Sequence, residues 1–233
     1  MFNKDKHKLI MTQILKDIYS DVTISSLLGF KGGTAAYLFY ELPRFSVDLD
    51  FDLLENSEEN RDIIFERIHN ILLKYGEIKD EQKKFFTVFF SLSYEIGEHQ
   101  IKIEINTRET GAHYEMKSYF GIPMLVATKE SMFAGKLVAM TQRKEFVSRD
   151  LYDIHFFLKQ MWDIDTDVLI SYQITSLKIY LETCITFIED VSNTVLLAGL
   201  GELIDEKAKI FVKSHLKNDT IFLLKVRADL LKN

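Results

Sequence analysis

Asp48, Asp50 and Asp52 alternate with Leu49, Phe51 and Leu53 in the stretch FSVDLDFDLL. On an extended strand this period puts Ser46 and the three carboxylates on one face and the apolar side chains on the other. Acids in a row repel one another and resist desolvation unless something positive neutralises them. Two carboxylates at i and i+2 are close enough to share a divalent cation, and hard oxygen donors select Mg²⁺ or Mn²⁺. A second stretch, HQIKIEINTR, alternates Ile101, Ile103 and Ile105 with Lys102, Glu104 and Asn106, which makes Glu104 the natural third carboxylate. Three such groups can clamp metal ions that activate an attacking hydroxyl and neutralise phosphate charge during in-line displacement. Asp52 is expected to be a peripheral or structural acid.

The same chemistry has a use for Lys31-Gly32-Gly33-Thr34, just upstream. Without Cβ atoms, Gly32 and Gly33 let backbone N–H groups approach a phosphate, and a following helix would present its positive N-terminus. Farther along, Lys136 offers an ammonium to phosphates, and Arg149 could do the same or pair with Asp150. Taken singly these features are ordinary. A diglycine is usually a turn, alternating acids are usually a solvated face, and RDLYD reads equally well as a helix start with favourable acids and local ion pairs. Their order along the chain is the specific signal.

The elements that must carry these residues follow from periodicity. Residues 5–20 show helical spacing of Leu9, Ile10, Ile14, Leu15 and Ile18. LLGFKGG reads as a short strand ending in a glycine turn, then TAAYLFYEL as a helix capped by Thr34 and closed before Pro43. SEENRDIIFERIHNILLKYG is a helix with an acidic first turn. Strand-like runs follow around 76–80, in KKFFTVFFSLSYEIG and in HQIKIEINTR. From about residue 126 the texture is helical only: TKESMFAGKLVAMTQR with Thr128 and Ser131 as caps, SRDLYDIHFFLKQMW with Ser148 as N-cap, then amphipathic helices to the end. The fold class is therefore α+β (α/β-like) with a mixed sheet. Residues 1–125 form the sheet domain and 126–233 a helical domain expected to pack on it and contribute to the site.

Composition limits the function classes. The 233 residues, 47% hydrophobic and 27% charged, describe an ordinary folded chain. A net charge of −6 speaks against a whole-surface nucleic-acid binder without excluding a local basic groove. The run from Lys207 to Arg227 reads chiefly as the solvated face of helices. Cys184, the one cysteine, sits in an apolar helical stretch and reads as core. The N-terminus lacks the apolar region of a signal peptide, and no window is long and apolar enough to span a bilayer, so the expected address is the cytoplasm, with no membrane partner. Neither a P-loop nor a dinucleotide fingerprint occurs, the histidines lack zinc spacing, and Leu53 stands where a calcium loop needs glycine.

Together these residues resemble the nucleotidyltransferase signature of the polymerase-beta-like superfamily, and more closely the AbiEii/AbiGii-type nucleotidyltransferase toxins. The resemblance runs over Lys31-Gly32-Gly33-Thr34, then Arg44, Ser46, Asp48 and Asp50, then Lys102-Ile103-Glu104-Ile105, then Lys136, Ala139, Arg143, Arg149, Asp150 and Asp153, covering roughly residues 28–155. It implies a polymerase-beta-type nucleotidyltransferase domain moving a nucleoside monophosphate from an NTP to an acceptor hydroxyl, plausibly of RNA such as tRNA. A growth-arresting role countered by a cognate antitoxin is implied as well. The implied metal ligands are Asp48, Asp50 and Glu104, with Lys136 and Asp153 as further catalytic positions. Lys31, Gly32, Gly33, Thr34, Arg44, Ser46, Lys102 and Arg149 would contact the nucleotide. Ser46, two residues before the first ligand, is a candidate for inhibitory phosphorylation, which would add negative charge beside the cation site. Two alternatives stand beside this: nucleotidylation of a small cation such as an aminoglycoside, and a catalytically silent nucleotide- or partner-binding protein.

Overall fold

The computed structural model describes residues 2–97 and 99–231. The chain divides into two compact units. One comprises the residues up to Glu41, Phe45–Glu109 and Tyr114–Ala127; the other comprises Leu42–Arg44, Thr110–His113 and the chain from Thr128 onward.

The first unit runs α1 (Lys4–Ser20), β1 (Leu28–Lys31), α2 (Gly32–Phe39), β2 (Leu49–Leu53), α3 (Glu58–Leu72), β3 (Glu77–Lys84), β4 (Thr87–Ser93), β5 (Ile101–Asn106), β6 (Tyr114–Tyr119) and β7 (Ile122–Ala127). Its strands form a seven-stranded sheet in the order β3-β4-β5-β2-β1-β7-β6. The β2–β5 and β1–β7 pairs are parallel and the rest antiparallel, so the sheet is mixed. The alternation read from the sequence sorts its two faces. Leu28, Phe30, Leu49, Phe51, Phe90, Ile103 and Ile105 are buried, together with the apolar stripes of α1 and α3, Met11, Ile14, Leu15, Ile18, Ile64 and Ile68. Burying each of the larger of these contributes roughly 1.5–3 kcal/mol. A one-residue slip of β2 or β5 would turn their apolar side chains outward and their acids into this core, which fixes the register.

The structure departs from the sequence expectations in three places. Strands β6 and β7 carry no clean alternation, because β6 is an edge strand with both faces partly exposed; the all-helical texture begins after them. Thr34 is not the cap of α2. That position falls to Lys31, and the Thr34 hydroxyl, inside the first turn, donates to the Asp48 carbonyl. Ser148 likewise lies inside its helix, whose N-cap is Val147, and its hydroxyl donates to the Val195 carbonyl at 2.7 Å. In both cases the hydroxyl lies inside the helix rather than ahead of it and donates to a carbonyl distant in sequence.

The second unit is helical: α4 (Lys129–Gln142), α5 (Ser148–Lys159), α6 (Thr166–Ser171), α7 (Leu177–Asp190), α8 (Glu206–Phe211) and α9 (Lys217–Leu230), with a 3₁₀ turn at Asn193–Val195 and a π-helical turn at Val212–Leu216 between α8 and α9. Thr128 caps α4 by accepting from the Ser131 N–H, as its sequence indicates. Cys184 is fully buried in α7, and burial pushes its thiol up to about 12, the behaviour of an inert core residue. Three cations of the last helices are paired: Lys209 with Glu206, Lys225 with Glu189 and Arg227 with Asp163.

Candidate active site

The pairing of β2 with β5 matches Asp50 with Glu104 and Asp52 with Asn106. Directly opposed residues on neighbouring strands point to the same side, so Asp50, Glu104, Asp52 and Asn106 share the face opposite the apolar core. Asp48 immediately precedes β2 on the same alternation. Asp48 and Asp50 are half-buried and Glu104 is exposed. Across β1 the register places Lys31 opposite Asp50 and Gly29 opposite Asp52.

Gly32 is demanded twice over. Its φ is +78°, in the region that favours glycine, and a Cβ there would collide with the Asp50 carboxylate. The start of α2 therefore packs directly on the Asp50 side chain, and the Thr34–Asp48 hydrogen bond ties helix and strand a second time.

Asp52 has a different environment. It is buried, and its carboxylate accepts from Lys31 Nζ at 2.5 Å, from Asn106 Nδ2 at 2.6 Å and from the Tyr114 hydroxyl. Tyr114 fits because Gly29 has no side chain; a Cβ there would strike the ring. Asp52 is thus the structural acid its position implied, and Lys31 is its cation. The Lys31 ammonium stays partly accessible, its side chain 29% exposed. Sequence reasoning missed Asn106 and Tyr114 as supports. Strand alternation could have flagged Asn106, whereas Tyr114 comes from an edge strand without a pattern.

The helical unit holds a chain of buried ion pairs. Arg44 meets Asp153 through Nε at 2.5 Å and Nη2 at 2.7 Å, both residues almost fully buried. Lys136 reaches Asp150 at 2.8 Å and Asp153 at 3.0 Å, and Arg143 meets the other oxygen of Asp150 at 2.7 Å. Burial alone would pull the Lys136 ammonium's pKa down, but Asp150 and Asp153 outweigh it and hold it above the ordinary lysine value. Burial would likewise raise Asp153, but Arg44 and Lys136 hold its carboxyl below the ordinary aspartate range. The Arg44 guanidinium faces Asp153 rather than solvent, so gripping a phosphate with these nitrogens would require the pair to open. Ser46 is buried too, which keeps its hydroxyl from a modifying enzyme unless its segment moves.

Among the described residues, the one group of three with ligand atoms all within 4.8 Å of one another is His113, Asp165 and Asp167, in the helical unit. His113 Nδ1 lies 2.9 Å from Asp165 and Nε2 3.5 Å from Asp167, and the bond to Asp165 raises the imidazole pKa. Asp48, Asp50 and Glu104 do not close to that spacing. Of the remaining expected residues, Gly33 is buried in the first turn of α2, Lys102 is exposed beside Glu104 on β5, and Arg149 is half-buried in the first turn of α5.

A family model described as Nucleotidyl transferase AbiEii toxin, Type IV TA system, matches residues 13–213. The comparison with curated proteins found no match. Among solved structures, a Helicobacter pylori protein provisionally assigned as a nucleotidyltransferase aligns with 98% of this chain and 97% of its own, at 22% identity and a TM-score of 0.56. JHP933, also from Helicobacter pylori, aligns over the same shares at 21% identity and a TM-score of 0.54. At these identities the likeness speaks to the fold, a mixed sheet followed by helices.

Proposed function

The chain belongs to the AbiEii nucleotidyltransferase toxin family of type IV toxin–antitoxin systems, and from that premise we propose that it moves a nucleoside monophosphate from an NTP to an RNA hydroxyl, plausibly of tRNA, releasing pyrophosphate. The observation that carries the proposal is the β2–β5 register. It sets Glu104 directly beside Asp50 on the polar sheet face, with Asp48 one alternation back and Gly32 against the Asp50 carboxylate. The oxygen donors of Asp48, Asp50 and Glu104 suit Mg²⁺ or Mn²⁺, which when bound would supply positive charge against the triphosphate. Glu104, the most exposed of the three, is the group proposed to draw the proton from the acceptor hydroxyl.

Gly32 and Gly33 open the backbone of α2 to a phosphate, and Lys31, steered by Asp52, contributes a cation beside it. Thr34 serves by holding the segment that carries Asp48. Lys102 on β5, and Lys136 and Arg149 in the helical unit, are the further cations proposed for nucleotide phosphates. Burial and pairing favour Arg44 and Asp153 as the groups that hold Lys136 in place. The toxin–antitoxin family suggests a cognate antitoxin as the protein partner.

A second acceptor class, a small cation such as an aminoglycoside, is favoured by the net charge of −6 and the open acidic face. Incubation of total RNA or an aminoglycoside with α-labelled NTPs distinguishes the two. Label is expected in RNA with the wild type and none with Asp48→Ala; equal labelling by both proteins removes the proposal, and label in the aminoglycoside alone replaces the acceptor.

A further inference from the structure

The β3–β4 hairpin closes with Lys84 opposite Thr87, leaving a two-residue turn of Phe85 and Phe86. Tight two-residue turns favour Gly, Asn and Asp, residues that tolerate positive φ. Here neither phenylalanine has a positive φ, so turn chemistry gives no reason for the pair. Nor does packing: Phe85 is 79% exposed and Phe86 41% exposed. The two rings meet edge to face at 4.4 Å, and the Arg108 guanidinium lies 4.2 Å over the Phe86 ring.

The patch continues along the sheet. Phe89 is opposite Glu104, which is opposite Asp50, so its ring stands on the carboxylate face one strand beyond the proposed general base. It is half-exposed, with Lys84 Nζ 5.0 Å over its ring. Lys84 and Arg108 have no carboxylate within ion-pair distance among the described residues. Aromatic planes interleaved with available cations suit an unpaired nucleotide, whose bases stack on the rings and whose phosphates meet the charges. A protein partner would have two uncompensated cations to desolvate here.

Building on the RNA-acceptor reading, we propose that this surface, Phe85, Phe86 and Phe89 with Lys84 and Arg108, docks the single-stranded end of the acceptor RNA and leads its terminal hydroxyl toward Glu104. The charges give affinity without sequence preference and the rings hold the bases, so the surface selects unpaired ends over duplex.

The test measures binding of a fluorescently labelled, unpaired oligoribonucleotide to the full chain by anisotropy, with neither NTP nor metal present. Phe85→Ser/Phe86→Ser lies on the exposed tip and spares the core. It is expected to weaken binding on the order of ten- to hundredfold. Lys84→Gln should lower the salt-dependence slope by about 0.7. If the double variant binds and labels RNA like the wild type, the surface inference falls while the nucleotidyltransferase reading stands. If binding drops as expected but wild type and Asp48→Ala label nothing, the surface stands and the RNA-acceptor reading falls. Unchanged RNA binding with an altered oligomeric state on gel filtration identifies a self-association surface and overturns the proposal.

Discussion

Asp150 and Asp153 in the helical unit are buried, and each meets two cations within 3.0 Å, counting Arg143, Lys136 and Arg44. In the sheet unit Asp50 and Glu104 share one strand face, with Asp48 just ahead of it; the two aspartates are half-buried and Glu104 is exposed. The same residue types are thus used in opposite ways. Carboxylates cancelled inside the protein fix a conformation, because breaking the set leaves a buried charge without its partner. Carboxylates lined up along one strand face are the ones proposed to meet a ligand that brings positive charge. Asp52 lies between these cases: it sits on the acidic strand yet is buried and held by Lys31, Asn106 and Tyr114.

The contrast breaks most visibly at Asp153. Asp153→Ala strands Arg44 in the interior and should cost about 3–5 kcal/mol, read as a fall in denaturant midpoint. Gly32→Ala comes next. The left-handed conformation alone costs roughly 1–2 kcal/mol, and displacement of the Asp50 carboxylate should remove transfer activity even where the protein still folds. Lys31→Met should cost about 1–3 kcal/mol by leaving Asp52 buried without its cation. Asp48→Asn should change stability by no more than about 1 kcal/mol, while abolishing NMP transfer. A melting-temperature survey of the single variants checks the four stability changes, and an NMP-transfer assay checks the two losses of activity.

The pH dependence sharpens the same comparison. Asp153's folded pKa is depressed, so its contribution is complete above the ordinary value of 3.8 and is lost as pH falls through the lower native value. Lys136's is raised, so its contribution is complete below 10.5 and is lost as pH rises through the higher native value. The cluster should therefore contribute evenly across the range between. Lys136→Met removes one of the cations that depress Asp153, so acid destabilisation should begin at higher pH than in the wild type, a shift that calorimetry against pH resolves.

How far the sequence foretold this follows from which forces are local. Strict alternation in β2 and β5 made both faces of the central strands readable before any coordinates, including the shared side of Asp50 and Glu104. The diglycine announced a conformational need, and the structure supplies the partner, the Asp50 carboxylate against Gly32. What stayed hidden depends on distant contacts. Tyr114 reaches Asp52 from an edge strand without periodicity, and the hydroxyls of Thr34 and Ser148, suited by type to capping, are taken by remote carbonyls. Arg44 was legible as a cation beside a motif, but its burial against Asp153, a residue 109 positions away, has no local signature.

The open face is tested most directly by the single-turnover rate of NMP transfer in Glu104→Gln, which keeps the side chain's size and removes its charge. A drop of about 10²–10⁴-fold with an unchanged melting temperature is the predicted result. A variant that transfers at the wild-type rate would contradict the account, since the carboxylate beside Asp50 would then take no part in the reaction.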